Sequence, residues 1–270
     1  MKYALPTDDL ILVQQPTITA SAEDSAYPAS NWLEVFNGAA TPEKPAKLTT
    51  TTGSWVLDFG AAVAVDAVAL IFSNFNAGIT VTLQWNTADS WGSPAGSQAI
   101  TIPTVPEDDQ TFNAWKDLSG SPSFRYWRLN ISTANSQALA LGRLLLIGTL
   151  RSMTNDMLWK EDGSLQETET HEMIPANVTA LGIEIQVPLT ERRRQLVCEI
   201  GAADTQMAAI QSLRRATLGG QRPFFCVPFE DRNDGWWVRV EALGTRQHNF
   251  HGCGGCPFTL REKLRGVGWP

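Results

Sequence analysis

At 270 residues, 43% hydrophobic and 18% charged, the chain has enough apolar material for one large domain or two ordinary ones, which excludes a disordered polymer. The formal net charge is −7, with 13 acids against 7 bases over residues 1–149 and 15 against 14 in the remainder. Neither half carries a basic nucleic-acid footprint, and no run of about 18 apolar residues exists to span a membrane as a helix.

The N-terminal stretch MKYALPTDDLILV has a short apolar run broken by Pro6, Asp8 and Asp9, so it does not read as a signal peptide. Assembly in a reducing cytoplasm is expected. There, four cysteines are thiols or metal ligands sooner than disulfides.

From Trp55 to Gly148 the pattern is a series of short strands. SWVLDFG sets Trp55, Leu57 and Phe59 against Ser54, Val56 and Asp58. AVDAVALIFSNF is a dense apolar run that stops at Asn74. ITVTLQWN alternates Ile79, Val81, Leu83 and Trp85 with polar residues. FRYWRLNIS sets Phe124, Tyr126 and Arg128 against Arg125, Trp127 and Leu129, and ALGRLLLIG closes the series. Strands so closely spaced, with no helix between them, predict an antiparallel sandwich.

The order YPASNWLEVFNG, SWVLDFG, VDAVALIF, FRYWRLNIS, LGRLLLIG resembles the galactose-binding-like, discoidin-type jelly roll over about residues 20–149. In that family loops at one end bind sugars, lipid headgroups or proteins. The corresponding loops here are Ser30–Ala46 and Trp85–Gly96, with Trp32, Trp85 and Trp91 as candidate stacking residues against core positions for the same rings. Glu107, Asp108 and Asp109 lack a spaced cation-ligand pattern and read as a solvated turn.

The three histidines, His171, His248 and His251, all lie outside this segment, and no nucleophile elbow, zinc-protease helix or phosphate loop appears. No catalytic residues are assigned, and a non-enzymatic protein is expected.

After Gly148 the polar segment 149–174 reads as an entry arm. Strands follow at Leu181–Pro188 and Arg194–Gly201, then a helix over Ala203–Leu218 with Met207, Ile210 and Leu213 on one stripe and Gly219 ending it. RPFFCVPF and WWVRVEAL add two strands. Arg192–Arg194 and Arg214–Arg215 read as a solvated strand end and a helix C-terminus. The expected fold class is therefore mainly β: a jelly-roll sandwich over 1–149, then a smaller α+β domain over 150–270 with a cysteine-rich end.

The helix with its Leu213-Arg214 step, then Pro223-Phe224-Phe225 and Val227-Pro228, resembles the oligomerising domain of bacteriophage tail and baseplate proteins of distal tail or tail-tip hub type. That resemblance implies a virion tail component assembled in the host cytoplasm. It implies a ring or hub of identical copies, other tail proteins as partners, and a sandwich facing a host-surface glycan. The alternative is a carbohydrate-binding accessory module protein.

Cys198 and Cys226 lie in predicted strands, and Cys253 and Cys256 form a C-x-x-C among glycines near the end. Four thiolates suit tetrahedral zinc or an iron–sulfur cluster; His248 or His251 is an alternative ligand, and unliganded thiols a third outcome. Some tail-tip hub proteins hold a 4Fe-4S cluster through four C-terminal cysteines, which makes that cluster the implied cofactor. Anaerobically purified protein should then show visible absorbance or bound zinc; without either, Cys253→Ser should leave stability nearly unchanged. Neither signal in the wild-type chain would end the metal reading.

Overall fold

The computed structural model describes residues 2–36, 39–40, 42, 44–104, 112–152, 166–173, 177–178, 184–185, 188–202, 211–227, 235–243 and 254–262. The chain opens with β1 (Lys2–Ala4), a 3-10 turn at Pro6–Asp8 and the short helix α1 (Leu10–Gln14), then β2 (Thr17–Ala20). A second 3-10 turn, Ala29–Leu33, leads to β3 (Val35–Phe36), β4 (Ala39–Ala40) and β5 (Ala46–Lys47). The sandwich strands follow: β6 (Gly53–Ala64), β7 (Ala67–Ser73), β8 (Val81–Asn86), β9 (Gly96–Ile100), β10 (Phe112–Asp117), β11 (Ser123–Ile131) and β12 (Ala140–Ile147). Beyond them lie β13 (Arg151–Ser152), β14 (Gln166–Met173), β15 (Asn177–Val178), β16 (Glu184–Ile185) and β17 (Pro188–Ala202). β18 (Phe224–Val227), β19 (Trp236–Leu243) and β20 (Gly254–Glu262) complete the set.

Among the described residues the larger sheets are a five-stranded one ordered β2-β6-β11-β8-β9, a four-stranded one ordered β10-β7-β12-β5, and a seven-stranded one ordered β13-β1-β18-β19-β20-β17-β14. The first two face each other across a core of Trp32, Trp55, Leu57, Leu70, Leu83, Trp127, Leu129, Leu144 and Leu146. This is the expected mainly β sandwich, and the alternation in SWVLDFG is realised: Trp55 and Leu57 are fully buried, with Phe59 packed against the core from a half-buried position.

The four-stranded sheet is covered on both faces. Ala67, Ala69, Ile71, Leu145 and Ile147 turn away from the sandwich core and pack against Ala4, Phe225, Val227 and Trp237 of the seven-stranded sheet. Every residue of β7 and β12 is buried. Double burial explains why AVALIFS and ALGRLLLI are near-continuous apolar runs where β8 alternates.

Two irregularities shape the strands. Phe72 takes φ 54°, a left-handed conformation uncommon outside glycine, where the β10–β7 register shifts. Its N–H donates to the buried Asn113 Oδ1 at 2.8 Å, which satisfies the amide that the bulge takes out of the ladder. In β11 the register with β6 shifts between Phe124 and Tyr126. Phe124 therefore packs on the core together with Trp127 and Leu129, although strict alternation put it with Tyr126 on the opposite side.

The start of the chain belongs to the seven-stranded sheet and to neither sandwich sheet. β1 pairs with β18 and with β13, inside the seven-stranded sheet. The Asp8-Asp9 pair fixes this arrangement. Asp8 accepts from Arg151 Nε at 2.8 Å and Nη2 at 2.9 Å, and from the Leu5 amide. Asp9 Oδ1 caps α1 through the amides of Ile11 and Leu12, while its Oδ2 takes Arg143 Nη2 at 2.5 Å.

In the α+β part, residues 211–216 are helical, Leu213 is buried, and the Thr217 hydroxyl donates to the Leu213 carbonyl. Gly220, at φ 101°, lies where a Cβ would be 2.0 Å from the Val240 carbonyl oxygen, so only glycine allows the turn to approach β19. Residues 203–210 of the expected helix, with Met207 and Ile210, lie outside the described residues, and so do Glu107, Asp108 and Asp109. The expected strand at Leu181–Pro188 is represented by β16 and the first residue of β17, and Arg192–Arg194 lie within β17 itself, opposite His171, Thr170 and Glu169 of β14.

Arg143 is 1% exposed and its Nε and Nη1 lack hydrogen-bond partners among the described residues, so Asp9 is the group that balances its charge. Asp9→Ala should lower stability by about 3–5 kcal/mol, the cost typical of leaving one member of a buried ion pair alone. Adding Arg143→Met should recover part of that loss, because no buried charge then remains. Urea-unfolding midpoints test this, and equal losses in the single and double variants would count against it.

Candidate functional site

Along β11, Trp127, Leu129 and Ile131 point into the core, which turns Tyr126, Arg128 and Asn130 to the outer face of the five-stranded sheet. Register places Tyr126 between Asp58 and Asn86, Arg128 between Val56 and Gln84, and Asn130 between Ser54 and Thr82. Apart from Val56, this part of the outer face consists of hydroxyl and amide groups in rows, with charges at a few positions.

Arg125 forks onto Asp58, with Nε to Oδ1 at 2.7 Å and Nη2 to Oδ2 at 2.8 Å, and lies against the Tyr126 ring at 4.8 Å. This bidentate bond, helped by the Gly60 amide, holds the Asp58 carboxyl down at about 2. Arg128 donates from Nε to Gln84 Oε1 at 2.7 Å. Burial lowers its pKa, and the nearby charge of Asp89 opposes that shift.

The 87–95 loop between β8 and β9 folds back onto this face. Asn86 anchors it: its Nδ2 donates to the Ser90 carbonyl at 2.6 Å and its Oδ1 accepts from the Thr87 amide. Trp91 Nε1 donates to Asp89 Oδ1 at 2.6 Å, and the Trp91 ring lies over the Arg128 guanidinium, 4.6 Å from centroid to carbon. The ring is half-buried, so a stacking surface remains open to solvent.

The other two candidate rings have different places. Trp32 is fully buried, donates from Nε1 to the Leu141 carbonyl at 3.1 Å and packs on Trp55 at 5.4 Å. Trp85 turns inward against Trp127 and Phe124, and a Cβ on Gly96 would approach its ring to 2.5 Å. The two expected loops also lie at opposite ends of the sandwich. Ala46 pairs with Leu141, beside Ser73 at the end of β7; β8 runs into its loop beside Tyr126 and Asp58, toward the turn from β6 to β7. Arg128, Asp89 and Gln84, the partners that define the site around Trp91, carried no motif in the sequence; the signal for Arg128 was its outward parity in β11.

The three described cysteines, Cys198, Cys226 and Cys256, lie on different strands of the seven-stranded sheet. Cys198 pairs with Phe258 and Cys256 with Ile200, so those two are on adjacent strands, two register positions apart. Cys226 is buried on β18, opposite Trp236 and Tyr3, with β19 and β20 between its strand and β17. Three strand spacings amount to roughly 14 Å between the backbones of β18 and β17. Cys253 lies outside the described residues, as do His248 and His251. Among the described residues no group of three or more His, Cys, Asp or Glu is placed to hold a metal ion, and no helix is long and apolar enough to cross a membrane.

No family model matches the chain, and no curated protein matches it. Solved structures similar to it include the lectin domain of lectinolysin complexed with Lewis B antigen, at 11% identity over 51% of this chain and 96% of that one, TM-score 0.38. Another is chitosan-binding module 1 of a chitosanase/glucanase from Paenibacillus sp. IK-5, at 14% identity over 52% and 98%, TM-score 0.35. A third is a family 32 carbohydrate-binding module of Clostridium perfringens in complex with galactose, at 10% identity over 53% and 97%, TM-score 0.37.

The Asp58–Arg125 pair has a sign that can be checked. A carboxyl lowered from 3.8 to about 2 stabilises the fold fully above its ordinary value, and that contribution is lost as pH falls through about 2. Because the pair is partly exposed, the effect should be small and screened by salt. A carboxyl titration followed by NMR should show the Asp58 midpoint near that value in the wild type and a higher one in Arg125→Gln.

Proposed function

We propose that this protein is a non-enzymatic carbohydrate-recognition protein that holds glycan on the outer face of its five-stranded sheet, at Trp91 and Arg128. The observation that carries this reading is the fixed, half-open ring of Trp91, tied to Asp89 and seated on Arg128 beside hydrogen-bonding side chains. A sugar has flat patches of C–H groups and a rim of hydroxyls. An aromatic plane next to amide and hydroxyl groups answers both. Trp32 and Trp85, being committed to the core, contribute by positioning strands and loop.

A second reading is favoured by the seven-stranded sheet. Its outermost strand β14 pairs with β17 on one side and has no described partner on the other. The end strand of a sheet is where another chain can add a strand. On this reading the protein is a structural component of the distal tail or tail tip of a long-tailed phage, and the sandwich is its host-facing part. The mass of purified assemblies tests it: rings or higher oligomers support a tail component, and a strict monomer at high concentration argues for a stand-alone binding module.

For the main reading, a panel of mono- and oligosaccharides should include ligands that shift the Trp91 indole NMR signal. Trp91→Ala should weaken the best of them about tenfold, the scale expected for a lost stacking contact. A panel in which no sugar moves that signal would refute the assignment.

A further inference from the structure

Four arginines lie between residues 1 and 152, and three of them are matched to carboxylates: Arg125 to Asp58, Arg143 to Asp9, Arg151 to Asp8. Arg128 is the exception. Its Nε is held by a neutral amide, Gln84, its plane lies against Trp91, and among the described residues neither Nη takes part in a hydrogen bond or ion pair. A guanidinium oriented from one edge and one face presents its remaining N–H groups as a planar fork, the geometry that pairs with a carboxylate through two parallel hydrogen bonds.

The surroundings narrow the ligand further. In register around Arg128 the outer face carries Thr19, Ser54, Thr82, Ser97 and Asn130, all neutral donors and acceptors, with the apolar Val56 directly beside it. The negative charge that Arg128 does feel is that of Asp89, whose Oδ1 is taken up by the Trp91 indole. A charged fork inside a neutral hydroxyl and amide field, next to an open aromatic face, matches a molecule with one carboxylate among many hydroxyls.

We propose that the site selects a carboxylate-bearing sugar, a uronic or sialic acid residue, with the carboxylate on the Nη edge of Arg128 and the sugar ring against Trp91. This rests on the carbohydrate-recognition reading of the same site and adds the class of sugar. Asp89 has two opposed effects: it fixes Trp91, and its charge weakens the hold on an anion.

The test compares ligands that differ only at one carbon. Methyl glucuronide and methyl galacturonide are titrated into the full-length protein against methyl glucoside and methyl galactoside, following the indole signal of Trp91 and the Nε–H signal of Arg128. At least one uronide should bind about tenfold or more tightly than its parent hexoside, as expected for a charge-assisted hydrogen-bonded pair, and should weaken as salt is raised. N-acetylneuraminic acid methyl glycoside is titrated in parallel. Arg128→Gln should reduce the favoured acid to the hexoside level with the fold intact by circular dichroism. Asp89→Asn, which keeps an acceptor for the indole, should raise the ratio of acid to hexoside affinity a few-fold.

Equal binding of acid and neutral sugars would overturn the carboxylate assignment and leave the carbohydrate reading standing. Absence of binding by every sugar would overturn both. Binding of a glutamate-rich peptide, with no sugar bound, would overturn the proposal in favour of an acidic protein partner.

Discussion

The buried pair between Arg143 and Asp9 ties the first residues of the chain to the middle sheet of the molecule. Arg143 belongs to β12, every residue of which is buried, so its charge has no access to water. Asp9 answers that charge and simultaneously caps α1, while its neighbour Asp8 forks with Arg151 at the exit of the sandwich. Buried charges cost several kcal/mol each when unpaired, so β12, α1 and the exit strand take up one mutual arrangement. β1 follows from it, laid between β13 and β18.

From that arrangement the layering is a consequence. With β1 and β18 fixed, Ala4, Phe225, Val227 and Trp237 cover the face of β7 and β12 that the sandwich leaves exposed. The four-stranded sheet becomes the interior layer, and the five-stranded sheet keeps the face with free access to solvent. The polar outer rows of β6, β11 and β8 belong to that sheet, and so does the loop that brings Trp91 onto Arg128. The candidate site is on this layer, because the central strands β7 and β12 of the other sandwich layer are buried throughout.

Much of the architecture was legible in the chain. Period-two alternation in SWVLDFG and ITVTLQWN marked half-buried strands, and the unbroken apolar runs of β7 and β12 were the trace of a sheet covered twice. The site was legible to a smaller degree. Trp91 was a candidate together with Trp32 and Trp85, but nothing in local pattern separates a stacking tryptophan from a core one. The three differ in the distant groups that meet them: Leu141 for Trp32, Trp127 for Trp85, Arg128 for Trp91.

Composition, periodicity and turn residues by themselves determined a mainly β chain with a sandwich in its first half, because strand faces obey local spacing. Only the tertiary structure decided that Asp8 and Asp9 act as a clasp, where the sequence showed an interrupted apolar run. The same is true of β1, which crosses into the C-terminal sheet, and of Cys226, which two strands separate from β17. These are matters of long-range pairing: Asp9 meets a residue 134 positions away, and Arg128 meets a side chain on another strand and a ring in another loop. Sequence spacing carries no record of such distances, since packing the buried faces together sets them.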